Sequence, residues 1–238
     1  MGILNWFEKI GKNTLFYQGC LTTTEETENY KKILNKLYID FTFIDKKFCC
    51  GLKLLNAGYE KQARKLAVKN FEFLKENNIK KIITNCPECY YMFKYEYPKL
   101  VREWDIETEH IVKTILEPLK NANPKFKEIE TVTYHDPCYL ARFSDIFNEP
   151  REILKLLGSE IKEMKHNKRE TLCCGAGGNL NNFPKLSEQI AENRLKEIPE
   201  SVKIITSCSL CHSQFRKLTE KSEEFSSFVL RKLEEAGI

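Results

Sequence analysis

Two rhythms of apolar residues alternate along this chain. Short runs rich in β-branched and aromatic side chains, at 15–17, 41–44 and 79–84, read as buried strands. Between them, TEETENYKKILNKL (24–37) and EKQARKLAVKNFEFLKENN (60–78) carry apolar positions at helical spacing; in the second, Leu66, Phe73 and Leu74 share one face and Lys and Glu the other. The alternation returns downstream, with strands at 132–134, 161–164 and 203–206 and helices near 150–157 and 185–198. Strand–helix–strand order predicts parallel sheets flanked by helices. The expected fold is α/β, built from two Rossmann-like halves.

The halves also match in sequence. TLFYQGC (14–20) corresponds to VTYHDPC (132–138), FCCGL (48–52) to LCCGA (172–176), and KKIITNCPEC (80–89) to VKIITSCSLC (202–211). An offset near 120 residues implies a duplicated domain. The polar stretch KNANPKFKE (120–128) reads as the linker, giving a first domain at 1–122, with a short extension at 1–13, and a second at 123–238. The apolar stripe Ile3, Leu4, Trp6, Phe7 and Ile10 within that extension is read as packing on its own domain or docking a partner.

Charge narrows the function. With 38 Lys and Arg against 34 Asp and Glu, the net charge is +4, spread without long one-signed blocks, so nucleic acid is not an expected partner. No apolar run approaches the roughly 18–20 residues of a membrane span. The start, MGILNWFEKIGKN, lacks the features of a secretion signal, so a cytoplasmic location is expected.

In a reducing compartment, ten cysteines point to metal or redox chemistry rather than disulfides. They form two equal sets, Cys20, Cys49, Cys50, Cys86, Cys89 and Cys138, Cys173, Cys174, Cys208, Cys211, each a lone Cys, a Cys-Cys-Gly and a Cys-x-x-Cys. In both sets the lone Cys and the Cys-x-x-Cys lie just past the carboxyl end of an expected strand, where parallel sheets bind ligands. The helices expected after each Cys-x-x-Cys, at YYMFKYEY and HSQFRKL, turn N-terminal N–H groups toward the site. Five thiolates exceed the four of a zinc tetrahedron. Adjacent cysteines suit a multi-iron cluster better, with zinc in one half as the alternative.

Gly175, Gly177 and Gly178 lack the residues of a P-loop; with Gly51 they read as backbone approaching a cluster and donating N–H groups to sulfur. His135 and His212, beside ligand loops, read as hydrogen-bonding neighbours rather than ligands. Arg142 reads as offsetting cluster charge, meeting an anionic substrate or forming a surface ion pair, and the aromatic group Tyr90, Tyr91, Phe93, Tyr95 and Tyr97 as either packing or a partner face.

Two copies of C…CCG…CxxC, with HDPCYLAR (135–142) and CCGAGGN (173–179), resemble the CCG cysteine-rich domain of the heterodisulfide reductase catalytic subunit, or the matching half of its longer counterpart. The same domain is similar to parts of the iron–sulfur subunits of glycolate oxidase, anaerobic glycerol-3-phosphate dehydrogenase and lactate-utilisation proteins. The resemblance implies an oxidoreductase subunit whose ten cysteines bind two [4Fe–4S] clusters, of the non-cubane kind in heterodisulfide reductase, and whose substrate is a small thiol or disulfide. Some relatives hold zinc at one motif. Ferredoxin-type CxxCxxCxxxCP motifs are absent, which implies as partners a ferredoxin-like iron–sulfur subunit and a flavoprotein subunit. Two other expectations stand beside this one: an electron-relay subunit of a flavin-dependent dehydrogenase for glycolate, lactate or glycerol 3-phosphate, and a zinc-binding non-enzymatic module.

Overall fold

Among the described residues, eight short strands form two four-stranded, all-parallel sheets of identical order. The computed structural model describes residues 13–44, 48–178, 180–200 and 202–238; the stripe at Ile3–Ile10 lies outside them. In the first half the elements are β1 (Thr14–Tyr17), α1 (Thr24–Lys36), β2 (Thr42–Phe43), α2 (Leu52–Asn56), α3 (Glu60–Glu76), β3 (Lys81–Thr84), α4 (Pro87–Tyr91), α5 (Tyr97–Leu100), β4 (Glu107–His110) and α6 (Ile111–Ala122). The second half follows with β5 (Glu130–Tyr134), α7 (Cys138–Ser144), α8 (Asn148–Leu156), β6 (Ser159–Ile161), α9 (Pro184–Leu195), β7 (Lys203–Thr206), α10 (Ser209–Arg216), β8 (Ser222–Glu224) and α11 (Phe225–Glu235). Strand order is β2-β1-β3-β4 in one sheet and β6-β5-β7-β8 in the other. This is the α/β architecture expected, and the shared order fits a duplication.

Alternation along each strand divides the core. Phe16 and Ile83 face one way and join Tyr134 and Ile205 of the other sheet in one apolar cluster, filled by α1, α6, α8 and α11. Leu15, Tyr17 and Ile82 face the opposite way into a second cluster closed by α3 and α4. Ile204 does the same in the second half, with Phe215 and three cysteines. The halves thus share a helical layer, while the outer faces carry the sulfur.

Several elements differ from the sequence reading. The second strand of the second half is Ser159–Ile161 rather than 161–164, because parallel pairing sets Val132 against Ile161; Met164 is buried in the following loop, against the cysteine-side core. On α3 the buried face is Ala63, Ala67, Asn70, Phe71 and Leu74, so Leu66 and Phe73 sit at its margins. A π-type stretch at Met92–Glu96 joins α4 to α5 ahead of Pro98, whose missing N–H frees a carbonyl one turn back. No helix among the described residues is long and apolar enough to cross a membrane.

Where the halves meet, Glu224 caps α11 by accepting from Ser226 N at 2.6 Å and accepts a second bond from Tyr30 Oη of α1 at 3.0 Å. Burial, reinforced by the neighbouring Glu26, raises Glu224 from an ordinary 4.5 to about 7. The fold therefore retains a proton that the unfolded chain gives up. The stabilisation is complete below pH 4.5 and is lost as pH rises to 7, roughly 3 kcal/mol in all. Glu224→Gln, isosteric with the neutral form, is expected to raise the melting temperature at pH 8 and leave it unchanged near pH 4.5. Equal shifts at both pH values would contradict this origin.

Candidate metal centre

Parallel strands deliver the sulfurs to one edge of each sheet. β1 and β3 end at Tyr17 and Thr84 and release Cys20 and Cys86 on the same side; β5 and β7 do likewise with Cys138 and Cys208. Each Cys-Cys-Gly arrives on the loop before the helix that covers the sheet. In the second half, Cys138, Cys173, Cys174, Cys211 and Cys208 lie close enough to shift one another's ionisation in sequence. In the first, Cys49, Cys50, Cys89 and Cys86 are coupled in the same way, and the exposed Cys20 feels the charge of Cys86 and Cys50. All ten thiols are free of disulfides.

Glycine turns aim the backbone at sulfur. Gly51 (φ +92°) and Gly175 (φ +82°) each donate their N–H at 3.3 Å, to Cys49 Sγ and Cys173 Sγ respectively. The left-handed backbone that returns the N–H to the thiol two residues earlier is open to glycine at little cost. Gly177 instead faces the first half, where Glu88 lies between Cys86 and Cys89. These contacts settle protons unevenly. The neighbouring Cys49 and Cys89 thiols hold Cys50 well below the usual thiol range, and Cys138 and Cys174 lower Cys173 in the same way.

The loops are pinned differently in the two halves. In the first, Asn70 donates to the Cys49 carbonyl at 2.8 Å and Tyr97 Oη to that of Cys50 at 3.0 Å. In the second, the fully buried Asp136 receives both Nη atoms of Arg151, at 2.7 and 2.8 Å, and the N–H of Lys168 at 2.8 Å. Thr171 Oγ1 donates to the Asp136 carbonyl at 3.0 Å, and Arg142 donates to the Thr171 carbonyl. Arg142 is thus a brace for the loop entering Cys173.

His135 is buried in the second half, its ring packed edge-on to Phe215. One ring nitrogen, Cys174 Sγ and Cys211 Sγ all lie within 4.8 Å of one another. Arg194 Nε donates to His135 Nδ1 at 3.1 Å. Sequence reasoning missed Arg194 altogether: its neighbours on α9 are Asn193 and Leu195, and nothing in QIAENRLKE signals a buried guanidinium. The ring of His212 instead bonds Ser222 Oγ on β8 at 2.9 Å. Of the aromatic group, Tyr90, Phe93 and Tyr97 are core, while Tyr91 and the exposed Tyr95 form a ring cluster that Tyr91 extends to Tyr139 and Phe143 across the halves.

One cleft is lined by all five first-half cysteines and also by Cys208, Ser209 and Leu210 of the second half. Cys208 of the second set therefore reaches the cleft of the first. The donors fit a thiolate-bound, multi-atom anionic centre: five sulfurs per set, backbone N–H groups on sulfur, and two buried donors, His135 Nε2 and Arg194 Nη2, with no partner among the described residues. A zinc tetrahedron would leave one thiol of each set over.

A family model for the CCG cysteine-rich domain matches residues 14–94 and again 132–216. The chain belongs to that family. Both matches span a full cysteine set. Among curated proteins, the CCG chain is 32% identical to a dihydromethanophenazine:CoB–CoM heterodisulfide reductase subunit of Methanosarcina barkeri, over 84% of its own length and 51% of the relative's. It is 30% identical to the EtfAB:quinone oxidoreductase of Syntrophomonas wolfei, over 83% of its own length and 30% of the other's. The chain thus spans about half the length of the heterodisulfide reductase relatives it matches. An aspartate racemase homologue from Pyrococcus horikoshii covers 95% of the chain at 14% identity and a TM-score of 0.36, a likeness too weak to carry any argument.

Proposed function

We propose that this chain is an iron–sulfur subunit of an oxidoreductase related to heterodisulfide reductase, and that its two cysteine sets hold two [4Fe–4S] clusters. The halves 1–122 and 123–238 each supply one set. The observation that carries this reading is the shared cleft, in which Cys208, Ser209 and Leu210 stand among the five cysteines of the first half. Clusters supply electrons one at a time, whereas opening a disulfide takes two. A cleft that holds the first sulfur set and is edged by Cys208 of the second suits a small disulfide held between them. The chain's own part is to hold the sulfurs, present Gly51 and Gly175 N–H groups to them, and line the cleft with Ser209 and the half-buried Glu88. Its partners are then a ferredoxin-like iron–sulfur subunit and a flavoprotein subunit, and its location the cytoplasm.

The similarity to an EtfAB:quinone oxidoreductase supports a second reading, in which the clusters relay electrons and no disulfide is cut. Metal analysis of the anaerobically purified chain comes first. About eight irons and eight sulfides per chain are expected, and Cys174→Ser should remove about half of each, because the sets are independent. About four irons with one zinc would remove the two-cluster mechanism. With both clusters present, the reduced protein is offered heterodisulfides of small thiols: cleavage supports the first reading, while intact disulfides with rapid electron transfer to a quinone or flavin acceptor support the relay.

A further inference from the structure

The two sulfur sets are related by the repeat, but their surroundings differ in one fixed feature. The sheet registers align Thr14 with Lys81 and Val132 with Lys203, within the shared Lys-Ile-Ile-Thr strands, so Tyr17 and His135 occupy the same position. The packing agrees. Tyr17 meets Phe93 edge-on at 4.9 Å and 87°, and His135 meets Phe215 at 4.9 Å and 86°, each phenylalanine lying four residues past the last cysteine of its set. The Tyr17 hydroxyl is committed to the Phe48 carbonyl. His135 keeps one ring nitrogen without a partner among the described residues.

Which nitrogen carries the proton follows from its partner. A guanidinium only donates and does not deprotonate in proteins. Because Arg194 Nε donates to His135 Nδ1, that nitrogen is the acceptor and Nε2 bears the hydrogen. The Nε2–H is buried and unpartnered among the described residues, on a ring that lies within 4.8 Å of two thiol sulfurs. Arg194 is itself fully buried; its Nη1 holds the His166 carbonyl at 2.8 Å and Glu197 at 2.7 Å, and its Nη2 is unpartnered among the described residues. On the corresponding first-half helix, α3, the buried polar residue is the neutral Asn70, and the acidic Glu88 lines that half's cleft. Hydrogen bonds to sulfur and nearby positive charge favour the reduced, more negative state of a cluster and so raise its reduction potential.

We propose that Arg194 fixes His135 as an N–H donor to the sulfur of the second centre, and that this pair sets the second centre at a more positive potential than the first. This rests on the reading that both sets hold redox clusters. His135 is a positioned donor and not a ligand, which separates the second set from a mixed histidine–cysteine metal site. The two centres fill in a fixed order, the second before the first.

The test is a potentiometric titration of the full chain, reconstituted anaerobically, reduced with dithionite and mediators, and followed by visible absorption and EPR with ¹⁵N-histidine label. Two midpoints are expected. The species reduced first should show a weak ¹⁵N coupling and an exchangeable proton, the signature of an N–H across a hydrogen bond. His135→Phe and Arg194→Met should each lower the higher midpoint by about a tenfold change in the one-electron equilibrium, 59 mV, and leave the lower one in place. His135→Gln, which keeps an N–H donor, should restore part of the shift. Coincident midpoints, a histidine coupling on the species reduced last, or the strong coupling of a directly bound nitrogen each overturn the proposal in the wild-type protein, whether or not the variants fold. A chain that takes up no iron overturns the proposed function with it, whereas two clusters in the wrong order overturn this inference alone.

Discussion

Asp136→Ala is expected to cost about 3–5 kcal/mol and to lower the melting temperature by roughly 10 °C. The carboxylate is fully buried and accepts three hydrogen bonds, two from Arg151 and one from Lys168 N. Without it, a guanidinium that is itself almost fully buried keeps the Phe147 carbonyl and a two-point pair with the more exposed Glu163. The cost arises from a buried guanidinium left with one carboxylate in place of two and from the lost bond to Lys168 N. Replacing both partners with apolar residues of similar volume, Asp136→Leu with Arg151→Met, should therefore recover a substantial part of the loss. Because Lys168 and Thr171 are tied to Asp136 and lead into Cys173, iron should be lost from the second set at temperatures where the first still holds its own. Calorimetry with metal analysis measures both. A single-variant cost below about 1 kcal/mol would place this pair among ordinary surface ion pairs.

The three ligand-loop glycines should respond to alanine in a steep order. At Gly175 a Cβ would lie 2.3 Å from the Ser187 carbonyl oxygen, on backbone at φ +82°. The left-handed conformation alone costs roughly 1–2 kcal/mol. A clash with backbone cannot be relieved by turning a side chain, so the loop must move, and with it the N–H on Cys173 Sγ and the 2.7 Å bond from Ser187 Oγ to the Gly175 carbonyl. Gly175→Ala is expected to lose iron from the second set and to destabilise the chain by more than about 3 kcal/mol. At Gly51, φ is +92° but the nearest atom is Leu66 Cδ2 at 3.4 Å, so conformational strain dominates and the cost stays near 1–2 kcal/mol. Gly177 has neither a left-handed φ nor a contact closer than 3.4 Å, to Glu88 Oε1, and should tolerate alanine. Similar iron content in the Gly175 and Gly177 variants would rule out the cradle described for Cys173.

The polar edge strands left little trace in the sequence. ETEH (107–110) and SEE (222–224) have no β-branched run, and they form strands because parallel ladders to β3 and β7 and ion pairs with Lys81 and Lys203 hold them. The helix at 111–122 carries Pro118 in its interior; Ile111, Val112, Ile115, Leu116 and Leu119 bury enough surface to override that cost.

The sequence by itself determined the duplication, the central strands and the sorting of ten cysteines into two sets. All three are local or periodic, written in spacings such as Cys-x-x-Cys after Lys-Ile-Ile-Thr and in the period-two apolar runs before each lone cysteine. Only the tertiary structure decided which groups face those sulfurs. Arg194 reaches His135 across 59 residues, Arg151 closes on Asp136, and Ser209 of one half lines the cleft of the other. Such contacts depend on how helices settle on a sheet and how two sheets share a layer. A buried arginine and an exposed one carry the same letter, and burial is a property of the packed chain.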